Sequence, residues 1–285
     1  MTTTERGAGR PGAGAAPEAG RGLRPLPPAL RWYPALEFWL RAYRRSWRGS
    51  VFSSFVAPLL YLGSLGYGLG GLVDSGTGDG VGAGVAYAVY VAPGILTANA
   101  MQTAVGESTY AVLGAVRWQR QYLAMLATPL TVVDVLSGHV AYLVFRVVLA
   151  TVAFVLVGAL IGAFTSAWVV VAALVAVLCG VVHALPVMAF AVGAETDGGF
   201  TMIFRFGVVP MFLFAGTFFP IDQLPALMQP VAWATPLWHA TELCRGLTLG
   251  TAAWGSGLGH LAYLLAWLAV GAWLAVRSYT RRLAD

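Results

Sequence analysis

Two oppositely charged residues, Glu107 and Arg146, stand inside long apolar stretches of the sequence. Glu107 lies near the end of the stretch 85–109, and Arg146 lies about two helical turns into the stretch 138–164. An ionised side chain in apolar surroundings is costly unless it is paired or hydrated. We predict an ion pair that couples these two segments. The alternative, that each side chain extends separately to a polar surface, is equally compatible with the sequence.

Other residues that could do chemistry form no recognisable active site. Gly106-Glu107-Ser108 lacks the GxSxG pattern of a nucleophile elbow. Cys179 and Cys244 lie far apart without CxxC spacing, so two unpaired apolar thiols are expected rather than a disulfide or a metal site. Four histidines occupy separate segments without HExxH spacing, and we expect structural roles for them: His139, His183, His239 and His260.

Nucleotide-binding machinery is missing from the sequence. There is no GxxxxGK[ST] loop to surround phosphates, and the chain contains no lysine. If ATP drives this protein, another chain must bind it. We therefore expect no cofactor on this chain.

The composition indicates a membrane protein with one domain. Hydrophobic residues make up 58% of the chain and charged residues 10%, and the mean hydropathy is +0.74. All 17 basic residues are arginines, clustered before the first apolar stretch and after the last, which suits a membrane surface and does not imply a nucleic acid. At about 20 apolar residues per spanning helix, the chain accommodates roughly six spans.

We predict an all-α integral membrane protein with six transmembrane helices. The loop 74–84 has two aspartates and no arginine, so it is placed outside, and both termini are placed in the cytoplasm. On this topology Arg245 is the only external arginine. The predicted spans cover residues 51–73, 85–109, 138–164, 167–193, 201–219 and 257–276.

The N-terminal part divides into a predicted disordered tail, 1–28, and an amphipathic interfacial helix, 29–50, ahead of the six-span domain, 51–282. A charged cytoplasmic stub is the alternative for 29–50. At helical spacing the apolar side carries Leu36, Trp39, Leu40, Tyr43 and Trp47. The basic side carries Arg41, Arg44, Arg45 and Arg48.

Two connecting segments are unusual. In the cytoplasmic loop 110–134, a short apolar helix stopped by Pro129 favours docking into a groove on a partner, although a helix on the membrane surface is the alternative. The segment 220–255 is too broken by proline to span as one helix and too apolar for an ordinary loop. For 216–225, a plain helix end is the alternative.

These segments resemble the type-2 ABC transporter permeases, in particular the branch with nodulation-factor export permeases and drug-exporter permeases. The matching strings are YLAMLATPL at 122–130, FAGTFFPIDQLP at 214–225 and PLWHATELCRG at 236–246. The resemblance covers about residues 30–282. It implies a permease that forms a homodimer and pairs with two copies of a separate ATPase subunit, which would hold ATP and Mg.

The resemblance also implies roles for particular residues. The ATPase-coupling helix would contain Arg117, Arg120, Tyr122, Leu123, Met125, Leu126, Thr128 and Pro129. Short re-entrant helices near the outer surface, before the last span, would contain Gly216, Pro220, Pro225, Pro236, His239, Glu242 and Arg245. The second and fifth spans would face the substrate path, with the candidates Asn99, Met101, Gln102, Phe206, Met211 and Phe214.

The function expected from this resemblance is that of a permease subunit of an ATP-driven exporter in the bacterial cytoplasmic (inner) membrane, in contact with membrane lipid. Its cargo would be an amphipathic small molecule such as a drug or natural product, as in multidrug efflux, or alternatively a lipid-linked or lipo-oligosaccharide. From another class, a six-span intramembrane enzyme would need a facing nucleophile and base, which the sequence does not supply. A membrane scaffold that transports nothing is a third possibility.

Overall fold

A computed structural model of the protein describes residues 27–69, 86–164 and 166–284. Within these ranges the secondary structure is helical, without strands. The predicted loop 74–84 and all but the last two residues of the predicted tail lie outside the described residues.

Ten helices are labelled here in chain order, with π-helical turns at Leu62–Leu69 and Gly114–Trp118 after α2 and α3. They are α1 (Tyr33–Tyr43), α2 (Trp47–Tyr61), α3 (Tyr87–Ser108), α4 (Gln121–Leu126), α5 (Val132–Leu160), α6 (Val169–Gly193), α7 (Gly198–Phe214), α8 (Gln229–Trp233), α9 (Pro236–Leu249) and α10 (Trp254–Leu283).

Three of the described helices are long and apolar enough to cross a membrane: α5, α6 and the part Gly255–Leu283 of α10. Helix α7 is apolar but shorter, and π-helical in its middle at Ile203–Val208. The chain is thus a helical membrane protein, while the count of six spans stays a prediction.

Helix α5 begins at Val132, six residues before the predicted start of the third span. A capping box at Thr131 explains the earlier start, because the Thr131 hydroxyl accepts from the Asp134 amide at 3.2 Å while Asp134 Oδ2 accepts from the Thr131 amide at 2.9 Å. Polar residues that satisfy the free amides of a first turn extend a helix beyond its apolar part.

Helix α6 lies at the centre of the bundle and packs against α3, α5, α9 and α10. Small residues permit these close contacts. A Cβ atom added at Gly180 would lie 3.1 Å from the Ala100 carbonyl oxygen of α3, and one at Gly271 would lie 3.1 Å from Cδ of Pro186 in α6. In lipid the hydrophobic effect does not favour contact between helices, so they associate through close van der Waals packing at small residues.

Helix α1 packs against α5. Ala35 and Trp39 are buried in this contact, with the other predicted apolar residues of α1 partly buried beside them. Trp47 differs from the expectation: α1 ends at Tyr43, and Trp47 instead begins α2 with 48% of its surface exposed. The break between the two helices changes the face on which Trp47 projects.

Candidate coupling and transport sites

The segment expected to contact an ATPase forms a sharp turn followed by a short helix. Arg120 has a left-handed backbone with φ of 50°, the only positive φ at a non-glycine residue in the described ranges, and α4 begins directly after it. This conformation disfavours side chains that carry a Cβ atom, so surrounding contacts must hold it. The helix stops after one and a half turns, where the Thr128 hydroxyl donates to the Met125 carbonyl at 2.6 Å, just ahead of Pro129.

The inner face of α4 is anchored by Tyr122, which is fully buried. Its hydroxyl is hydrogen-bonded to Nδ1 of His139 in α5 and lies 3.2 Å from the hydroxyl of Tyr279 in α10. Trp39 of α1 stacks on His139, with ring centroids 4.2 Å apart. Burial raises the pKa of Tyr122 well above its usual value, so the phenol stays protonated and able to donate.

This anchor changes the interpretation of the predicted docking helix. The sequence placed Tyr122 and Met125 with the apolar residues that would meet a partner, but the structure buries both side chains within the chain. Neither His139 nor Tyr279 was identified from the sequence as a neighbour of this helix. Their distances from Tyr122 along the chain, 17 and 157 residues, leave no local spacing that could have indicated the contact.

The outer face of the same segment is open. Leu123 is 46% exposed and Trp118 is 65% exposed. Arg120 is exposed beside them, while Arg117 reaches Glu195, between α6 and α7, at 3.5 Å. Glu195 is itself exposed, so that ion pair contributes little. Trp118 was not among the residues predicted for the coupling helix. Of those predicted, Thr128 and Pro129 are exposed and Leu126 is partly buried.

Glu107 and Arg146 lie together in the structure. Glu107 Oε1 accepts from Nη2 of Arg146 at 2.7 Å and from Nε at 2.9 Å, and both side chains are less than a quarter exposed. Arg146 also donates to the Ser50 hydroxyl of α2, and its guanidinium lies 5.0 Å from the ring centroid of Tyr43. The pair therefore connects α3 and α5 with both N-terminal helices, while its role in coupling stays a prediction.

The substrate-path candidates on α3 separate into two groups. Asn99 and Gln102 are partly exposed on the same helix face as the exposed Gly106. Met101 is fully buried and packs in an apolar cluster that includes Val208 of α7. Because neighbouring helix positions point in different directions, Met101 cannot share an open surface with Asn99 in this conformation.

The candidates on α7 are more accessible. Phe206 is 69% exposed and Phe214 is 38% exposed, while Met211 is partly buried against the apolar cluster that contains Met101. Phe206 and Phe214 therefore place apolar aromatic groups on the open part of α7.

Beyond α7 the chain turns back at Gly216, which has a φ of 75°. A 3-10 turn at Ile221–Gln223 follows Pro220, Pro225 comes two residues after it, and α8 and α9 complete the segment. Pro236 occupies the first position of α9, where a missing amide hydrogen costs nothing. The segment is thus broken into short helices, and its re-entry into the membrane stays a proposal.

Arg245 ties this segment to the bundle. Its side chain is only 8% exposed. Nη2 donates to the Gly216 carbonyl at 2.7 Å, and Nε donates to the Tyr90 carbonyl of α3 at 3.4 Å. Nη1 donates to Glu242 Oε1 at 2.5 Å, and the charge lies 4.1 Å from the ring centroid of Tyr90. A buried arginine with every nitrogen bonded holds the turn in place.

The histidines of this region pair with each other. His239 in α9 and His260 in α10 lie with their Nδ1 atoms 2.8 Å apart, and Nε2 of His239 is 3.0 Å from the Trp233 carbonyl oxygen. This geometry suits two neutral rings, with His239 donating to Trp233 and accepting from His260. Across the described ranges, no cluster of three or more His, Cys, Asp or Glu side chains could hold a metal ion.

Comparison with known proteins agrees with this architecture. The profile of the ABC-2 type transporter family matches residues 36–249. Nodulation protein J of Rhizobium leguminosarum bv. viciae is 33% identical over 220 residues, which cover 74% of this chain and 82% of that protein. Nodulation protein J of Rhizobium meliloti (strain 1021) is 29% identical over 252 residues, covering 86% and 94%. No solved structure matches the chain significantly. The chain belongs to the ABC-2 type transporter family, whose members are transport subunits in the membrane.

Proposed function

We propose that this protein is the permease subunit of an ATP-driven exporter that moves an amphipathic small molecule across the cytoplasmic membrane. Family membership supports the permease role. The observation that carries the proposal is the two-sided helix α4: its outer face is open, while Tyr122 on its inner face is locked to α5 and α10. A helix built this way can receive a partner on one side and pass force to the bundle on the other.

The partner in this proposal is a separate ATPase in two copies, which holds ATP and Mg. Two permease chains related by a two-fold axis would present two copies of α4 to it. When the ATPase subunits close, α4 moves with them, and the Tyr122 hydrogen bonds transmit the displacement to the long helices. The cargo changes the balance between inward-open and outward-open states only through its different affinity for each.

The proposed path is lined by Asn99 and Gln102 from α3 with Phe206 and Phe214 from α7. Amide groups beside exposed aromatic rings suit a cargo with a polar part and an apolar part. Such adaptable surfaces accept several cargoes of similar shape.

The test of this function is co-expression and co-purification of this chain with a candidate ABC-type ATPase subunit from the same organism. Leu123→Asp places a charge on the open face of α4, so we expect the complex to dissociate and transport to be lost. Leu227→Asp is the matched control, because Leu227 is 88% exposed in the segment beyond α7. If Leu123→Asp leaves the complex intact and fully coupled, the docking assignment is wrong.

A second variant separates binding from coupling. Tyr122→Phe removes a buried hydroxyl that serves His139 and Tyr279, so we expect the ATPase to bind normally but cargo-stimulated ATP hydrolysis in liposomes to fall about tenfold or more. Tyr263→Phe removes an exposed hydroxyl that donates to the Ala234 carbonyl at 2.7 Å and is the control. The compounds tested for stimulation of ATP hydrolysis should include drug-like amphiphiles and lipo-oligosaccharides. No stimulation by any amphiphile would contradict the exporter proposal.

A further inference from the structure

Two adjoining cavities lie where α9 meets the beginning of α10. The first, of about 420 Å³, is lined by polar and aromatic side chains that include Trp238, Glu242, Arg245 and His260. Its size is within the range of small-molecule sites. None of the candidates for the substrate path lines it.

The second cavity, of about 310 Å³, is apolar. It lies between α6, α9 and α10, with Val171, Val175, Leu247, Leu258 and Leu261 in its wall. Five residues line both cavities, so the two spaces share a wall: Leu243, Gly246, Ala252, Ala253 and Gly257. A polar space that adjoins an apolar one suits a ligand with a polar head and a hydrocarbon chain.

The location indicates how such a ligand would arrive. Leu261 lies about 27 Å along α10 from Tyr279, at a rise of about 1.5 Å per residue, so the cavities lie at the end of the bundle opposite α4. Leu258, which lines the apolar cavity, is 63% exposed, so the cavity reaches the outer surface of the apolar helix α10. A membrane amphiphile could therefore enter from the bilayer without leaving it.

The charges of the polar cavity select the head group. All three guanidinium nitrogens of Arg245 are already bonded to Glu242, Gly216 and Tyr90, which leaves little capacity for an anion. Arg245 engages Oε1 of Glu242, and no residue in the described ranges is hydrogen-bonded to Oε2. The Glu242 side chain is 36% exposed, so it can accept from a donor in the cavity.

We propose that these joined cavities bind a membrane amphiphile whose head group donates hydrogen bonds, through an ammonium or hydroxyl groups, to Glu242 while its hydrocarbon chain fills the apolar cavity. The head lies beside Trp238, whose ring can cover a sugar or an ammonium. The bound amphiphile packs against α9 and the first turn of α10. This site is separate from the proposed path, and its test needs neither ATP nor an ATPase.

The test measures binding of three probes with the same chain, dodecylammonium, dodecyl glucoside and dodecanoate, to the full-length protein by native mass spectrometry. We expect the first two to bind and dodecanoate to bind at least about tenfold more weakly, a difference of about 1.4 kcal/mol. Equal binding of dodecanoate would overturn the head-group assignment. The comparison of ammonium with glucoside identifies which donor the site prefers.

Gly257→Leu tests the location. A Cβ atom there meets only Leu243 Cδ1, at an ordinary 3.4 Å, so the backbone accepts a side chain at this position. Because Gly257 lines both cavities, a leucine side chain would occupy part of their space. Gly259→Leu is the matched control, since a Cβ atom at Gly259 meets nothing within 4 Å. We expect Gly257→Leu to weaken both binding probes about tenfold and Gly259→Leu to leave them unchanged. Wild-type binding by Gly257→Leu, or a change in oligomeric state instead of ligand binding, would overturn the proposal.

Glu242→Gln tests the head-group contact independently. The amide keeps the shape but loses the charge, so dodecylammonium binding should fall by more than dodecyl glucoside binding. If neither probe binds more weakly, Glu242 does not contact the head group.

Discussion

Several polar side chains that are buried between helices are hydrogen-bonded to one another. The Thr97 and Thr241 hydroxyls lie 2.9 Å apart and link α3 to α9, and Tyr122 links α4 to His139 of α5. In a low-dielectric interior an unpaired polar group is costly, so each pair favours one arrangement of its helices. These residues determine which helix faces meet.

The ion pair of Glu107 and Arg146 provides the sharpest test at the residue scale. Reversing either charge leaves two like charges in a site less than a quarter exposed, and we expect transport to be lost and the free energy of unfolding to fall by roughly 3 kcal/mol. Glu107→Arg combined with Arg146→Glu should recover transport in part, measured in liposomes.

Recovery should be incomplete, because a carboxylate at position 146 loses the contact with the Tyr43 ring and can only accept from the Ser50 hydroxyl. A double variant as inactive as the single ones would show that the pairing does not matter for transport. The sequence identified the two residues as charges in apolar stretches. It did not identify Ser50 and Tyr43 as their neighbours, because these residues lie in distant segments of the chain.

At the scale of elements, the contact between α1 and α5 depends on Gly138. A Cβ atom there would lie 2.4 Å from Ala35 Cβ and 2.8 Å from the Trp32 carbonyl oxygen. Two helices can approach this closely only where a side chain is absent.

Gly138→Ala should therefore destabilise the protein, although alanine raises intrinsic helix propensity by about 1 kcal/mol. We expect a lower Tm and faster proteolysis at the exposed arginines Arg41, Arg44, Arg45 and Arg48, in α1 and directly after it. Gly106→Ala is the control: it lies in α3, and a Cβ atom there meets nothing within 4 Å, so stability should stay equal or rise. A Gly138→Ala protein as stable and as protease-resistant as this control would contradict the docking interpretation.

The amphipathic character of α1 could be predicted from its period, and Trp39 lies on the buried side. The position at which α1 ends could not be predicted from the sequence. The sequence 29–50 has no proline or glycine at 44–46 to indicate a break, and the turn there results from α1 and α2 each packing on α5. The predicted single helix 29–50 is therefore divided, and Trp47 belongs to α2.

At the scale of the whole molecule, the helices connect the proposed coupling helix α4 with the proposed amphiphile site at the opposite end. Helix α10 extends from the joined cavities to Tyr279, which contacts the anchor of α4. A long helix that joins both regions can relay movement between them, since packed helices shift as rigid units.

The orientation of the molecule can be tested with single cysteines. Leu227→Cys should react with a membrane-impermeant maleimide in intact cells, and Leu123→Cys only after the membrane is opened, because the predicted topology places them on opposite sides. Both positions are exposed, while the native Cys179 and Cys244 are fully buried and give little background. Labelling of Leu123→Cys in intact cells would reverse the predicted orientation.

The sequence by itself determined the membrane environment, the helical class and the family, because apolar composition, span length and the three short matching strings are local properties. It also singled out the charged residues within apolar stretches. Only the tertiary structure decided which face of α4 is open, that Met101 is buried, and that Tyr122, His139 and Tyr279 meet. Those contacts join residues far apart in the chain, and they depend on how helices rotate and pack against one another.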